Sequence, residues 1–80
     1  MNMNESNMRL YVPVNDMYIQ PGNRVKLGRF DGDCWEVAFG WYSWGGNRPV
    51  CGWYLTKLPE KDIVKPLQLP DLSDIYLIEA

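Results

Sequence analysis

The 80-residue chain predicts a small all-β domain, a barrel of five or six short strands built on a central aromatic hairpin. Three observations carry that expectation. Apolar and polar residues alternate with period 2 through Arg24-Val25-Lys26-Leu27 and again through Cys34 to Leu58, CWEVAFGWYSWGGNRPVCGWYLTKL. Turn chemistry recurs at close intervals, at Gln20-Pro21-Gly22-Asn23, Asp31-Gly32-Asp33 and Gly45-Gly46-Asn47-Arg48. Pro59, Pro66 and Pro70 exclude a long helix or a long central strand from the C-terminal part.

Residues 1–8 are polar, rich in Met and Asn, and without periodicity, which predicts a disordered leader followed by one β-barrel domain over 9–80. Met8 to Val14 alternates weakly and is broken by Pro13, as a short edge strand would be. Val25 and Leu27 form the buried face of the next strand. Gly28 interrupts its alternation, so a bulge there is expected to return Phe30 to the core. From Cys34 to Trp44 the odd positions Trp35, Val37, Phe39 and Trp41 form the core face, and Val50 to Leu58 supplies Cys51, Trp53 and Leu55 in return.

A turn centred on Asn47 makes paired residue numbers sum to 94. Trp41 then pairs with Trp53 and Phe39 with Leu55, which predicts a core of Trp35, Phe39, Trp41 and Trp53. On the other face Gly40 lies across from Tyr54 and Gly52 across from Tyr42, with rings over glycines, so that Tyr42, Tyr54 and Trp44 make one patch outside the core. Ile63 to Leu67 reads as a short edge strand, Asp71-Leu72-Ser73-Asp74 as one helical turn, and Ile75 to Ile78 as a closing strand.

The final segment LPDLSDIYLIEA, a helical turn before a strand that carries a Tyr, resembles the end of an SH3-type barrel. The resemblance covers about a dozen residues and implies an SH3-like barrel, with an OB-like barrel as the alternative. The chain departs from SH3 domains in lacking their Ala-Leu-Tyr-Asp-Tyr opening and adjacent Trp pair.

Composition narrows the chemistry. Without histidine the chain has no Ser-His-Asp or Cys-His mechanism, and two cysteines cannot make a four-thiolate site. Gly45-Gly46-Asn47 lacks the Lys-Ser/Thr ending and the strand-to-helix context of a phosphate loop. Asp31 and Asp33 read as solvated turn residues. The expectation is a protein that is no enzyme and holds neither metal nor cofactor.

In the predicted register Cys34 lies nine residues along the strand from the position facing Cys51, roughly 30 Å at the rise of a β-strand. A disulfide needs Cα atoms about 4.4–6.8 Å apart, so two reduced, buried cysteines are expected. With no membrane-length apolar run and no secretory leader pattern, the chain reads as cytoplasmic, with no membrane partner.

Two binding functions fit the aromatic excess. Tyr42, Trp44 and Tyr54, with Arg48 at the turn, have the residue types that anchor protein–protein contacts. A single-stranded nucleic acid could instead stack on the rings while Arg24, Lys26 and Arg29, with Arg48 and Lys57, follow phosphates. A net charge of −2 argues against nucleic acid and favours a protein partner. An unpaired edge strand would also allow a homodimer, and a purely structural role for the rings is the remaining alternative. In size and style the chain is like the small accessory or inhibitor proteins of phages and mobile elements.

Overall fold

The computed structural model describes residues 8–78; the leader predicted over 1–8 lies, but for Met8, outside the described residues. Among these, seven strands form two antiparallel sheets. A two-stranded sheet pairs β1 (Leu10–Val12) with β2 (Met17–Ile19). A five-stranded sheet, in the order β6-β5-β4-β3-β7, contains β3 (Val25–Arg29), β4 (Cys34–Tyr42), β5 (Val50–Lys57), β6 (Val64–Pro66) and β7 (Ile75–Leu77). A 3-10 turn over Leu69–Ser73 precedes β7, where one helical turn was expected. The sheets do not join into a closed barrel, because β6 and β7 remain edges and β1 and β2 pair only with each other.

The core lies between the sheets. Leu10, Val12 and Ile19 from the small sheet meet Leu27, Trp35, Val37, Leu55 and Ile75 from the large one, and Val25, Trp53, Leu67, Leu72 and Leu77 pack around them. The turn of the small hairpin is tied down at one point, where the Leu77 amide donates to Asn15 Oδ1 at 2.7 Å. The 3-10 turn is held by a charge cluster. Asp71 accepts from Arg29 at 3.3 Å and pairs with Lys65 at 3.7 Å, and the Lys65 ammonium lies 5.3 Å from the centre of the Trp35 ring. The buried Trp35 Nε1 has no hydrogen-bond partner among the described residues.

Four expectations about packing are corrected. First, the β4–β5 ladder sums to 92, not 94, pairing Phe39 with Trp53, Val37 with Leu55 and Trp41 with Cys51. The tight turn sits earlier than expected: Gly45 and Gly46 both take left-handed φ values, 64° and 77°, and the Asn47 amide donates to the Trp44 carbonyl, within a loop that the ladder leaves at Tyr42–Val50. Second, the shift carries Trp41 past the end of the core, where it is 72% exposed. A slip of two preserves which face each residue occupies, so Trp35 stays buried, while Phe39 and Trp53 are half-buried against each other.

Third, Gly40 pairs with Gly52, and no atom lies within 4 Å of where a Cβ would stand at either, so no ring covers these glycines. Ring over glycine occurs instead at Gly28, whose Cβ would stand 2.5 Å from Tyr76 Cζ. Gly28 continues the regular ladders to Cys34 and Tyr76 where a bulge was expected, and Phe30 stays outside the core, 67% exposed and against Tyr76. Fourth, both cysteines are free, but Cys51 is exposed and Cys34 half-buried, because the slip moves Cys51 onto the projecting end of the hairpin.

Candidate functional site: the aromatic arm

Strands β4 and β5 are nine and eight residues long, while their sheet neighbours are shorter. The β3 ladder stops at Val25–Val37 and the β6 ladder at Pro66–Tyr54. Residues 38–53 therefore project as a two-stranded arm, and Arg48 is their only charged residue. Two-stranded ribbons are marginal in water by themselves, so cross-strand ring pairs must supply much of the arm's order. Phe39 and Trp53 meet edge to face with centroids 5.4 Å apart, and the Trp53 indole N–H donates to the Met8 carbonyl at 3.0 Å. On the opposite face Tyr42 and Tyr54 stack at 5.0 Å with planes 27° apart.

The site residues named from sequence are thus divided. Tyr42 and Tyr54 come together as one half-buried stack, with Pro66 of β6 paired beside Tyr54. Trp44, 48% exposed, and the exposed Arg48 lie in the loop at the arm's tip. Sequence reasoning missed Trp41, the most exposed indole, together with its exposed cross-strand partner Cys51. The available signal was the Gly40 and Gly52 pair, two residues that contribute no side chain to a core at that level of the hairpin.

The basic strand has other duties. Arg24 pairs with Glu36 at 3.3 Å, and Arg29 is engaged by Asp31 and Asp71, both at 3.3 Å, and by Asp74 at 3.9 Å. Lys57 faces Asp33 at 3.9 Å. Lys26 lines an open groove of about 440 Å³ with Cys34, Glu36, Leu58, Pro59 and Lys61. Carboxylates so placed oppose the neutralisation of phosphates on which nucleic-acid binding depends.

The Asp31 carboxylate is structural. It accepts from the Asp33 amide at 3.0 Å and pairs with Arg29, and these contacts, the amide first, hold its pKa below the ordinary aspartate range. A depressed carboxyl contributes stability that is present above its unfolded-state pKa and is lost as pH falls through the lower folded value. An NMR titration should therefore place the Asp31 midpoint below that of a free aspartate, and Arg29→Lys should move it up only part of the way, because the amide bond remains.

No helix among the described residues is long and apolar enough to cross a membrane. Comparison of the chain with protein-family models, curated proteins and solved structures gave no match.

Proposed function

We propose that this chain is a non-enzymatic protein-binding module that works through the aromatic arm. Its anchors are Trp44, Tyr42, Tyr54 and Arg48, joined by Trp41. The observation that carries the reading is the placement of Trp41 and Trp44, one largely and one half uncovered, on a projecting segment with a single charge. Trp, Tyr and Arg are the residue types in which binding energy concentrates, Trp and Tyr because they cover much area at small cost in lost freedom and Arg because its planar fork binds carboxylates at two points. The arm offers one cation and no anion, so the complementary partner surface is apolar with a carboxylate for Arg48. The reading includes an SH3-like architecture for the fold, a cytoplasmic setting, and the accessory or inhibitor role typical of small phage and mobile-element proteins.

Panning a random peptide library against the immobilised protein tests this directly. Selected peptides should combine aromatic or aliphatic residues with Asp or Glu. Their affinity should fall about tenfold, near 1.4 kcal/mol, in Trp44→Ala and in Arg48→Ala, and stay unchanged in Lys26→Ala. Binding should vary little with salt. Failure to enrich any peptide, or peptides indifferent to every arm substitution, would refute the proposal. Salt-steep binding of oligothymidylate that is lost in Lys26→Ala would replace it with the nucleic-acid reading.

A further inference from the structure

The arm has edges as well as faces, and the hydrogen-bond parity of β4 identifies which edge is open. The Leu58 amide donates to the Cys34 carbonyl, which makes the even residues of β4 those bonded to β5. The Arg29 amide donates to the Asp33 carbonyl, which turns the odd residues toward β3. Beyond Val37 there is no β3 left to receive them. The N–H and C=O groups of Phe39 and Trp41 therefore point outward along an edge that is unpaired among the described residues.

The other edges of the sheet are blunted. The outward Leu77 amide of β7 is bonded by Asn15, β6 carries Lys65 and Pro66, and Pro49 precedes the short free stretch of β5. The free stretch Ala38–Tyr42 carries neither charge nor proline.

We infer that this edge pairs with the same edge of a second copy, antiparallel about a two-fold axis at Gly40. The strand is self-complementary in that register. Phe39 meets Trp41 of the other copy and Trp41 meets Phe39, each pair exchanging two backbone hydrogen bonds, four in all. Gly40 faces Gly40 at the axis, a non-hydrogen-bonded position where backbones approach most closely, to about 4.5 Å between Cα atoms. Gly40 brings no side chain to that close approach. The Phe39 and Trp41 rings line up on one face as cross-strand aromatic pairs. The two arms run in opposite directions, which keeps the Arg48 residues at opposite ends.

The occupant is a second copy because the edge supplies a palindromic pair of large rings about a small centre, and a two-fold contact uses the same patch twice. Four partly exposed rings at roughly 150–250 Å² each give an interface on the order of 500–1,000 Å², below the standard size of a stable complex. The dimer is therefore weak and concentration-dependent. It goes beyond the reading of the ring faces, since it takes Trp41 out of the anchor set while leaving Tyr42, Trp44, Tyr54 and Arg48 free and presenting them twice.

Sedimentation velocity of the purified chain from micromolar to millimolar concentration, with amide hydrogen exchange at both ends of the series, tests this without any partner. A monomer–dimer equilibrium is expected, with exchange at Phe39 and Trp41 slowed about tenfold at high concentration while Gly40 and Tyr42, already bonded within the hairpin, are unaffected. Trp41→Lys, at an exposed position that leaves the fold intact, should weaken the dimer about tenfold, as edge lysines do. A monomer at every concentration, or a dimer whose Phe39 and Trp41 amides exchange as in the monomer, overturns the inference. Neither result bears on peptide binding through Trp44 and Arg48.

Discussion

Leu55→Ala will cost about 2–5 kcal/mol of folding stability, whereas Trp41→Ala will cost less than about 0.5 kcal/mol, although the second removes far more side chain. Leu55 is fully buried at the centre of the large sheet, paired with Val37 and packed in the cluster that includes Leu27 and Ile75. Truncating it leaves a cavity that surrounding strands cannot collapse into. Trp41 leaves nothing behind, because it is already in water. A domain of this length has on the order of 4–12 kcal/mol to lose, so Leu55→Ala should unfold at much lower urea, and Trp41→Ala should superimpose on the parent curve. The contrast discriminates the two hairpin registers. If numbers summed to 94, Trp41 would be the core residue and its loss the severe one.

That register shows how far sequence reasoning reaches. Alternation assigns faces, and the faces of β4 and β5 survive because the actual register differs by two, an even number. It cannot say where along a strand the core ends. That limit is set by where β3 and β6 stop, at Val25 and Pro66, which are long-range facts absent from the local pattern. Trp41 was therefore placed on the right side of the sheet and at the wrong depth. Tyr42, Trp44, Tyr54 and Arg48 were legible as an aromatic group around a turn, because a Gly-Gly pair between aromatic strands fixes a hairpin whatever its register. Strand β2 was not legible: Met17–Ile19 is three residues long, too short to display a period. The closed barrel failed for a related reason, since composition predicts strands and turns but not whether a small hairpin joins the larger ladder or only packs on it.

Gly28→Ala is the second large effect, expected to destabilise by about 1–3 kcal/mol even though alanine favours an ordinary strand over glycine. The added methyl would stand 2.5–2.7 Å from Cζ, Oη and Cε2 of Tyr76, so the ring must swing away and give up its place over Gly28 and its contact with Phe30 at 5.0 Å. Backbone geometry is not the obstacle, because Gly28 is not among the positive-φ glycines. A double-mutant cycle separates the two causes. In a Tyr76→Ala background the Gly28→Ala change should cost nothing or stabilise slightly, giving a coupling on the order of 1–3 kcal/mol. Additivity would instead mean that the strand needs glycine for itself and that the ring is incidental. Gly28 sits at the base of the hairpin, opposite Cys34, and Tyr76 on the far strand, both away from residues 38–53. The folded Gly28→Ala protein should thus bind selected peptides with the parent's affinity. Loss of binding alongside loss of stability would show that the arm's order depends on the whole sheet rather than on its own ring pairs.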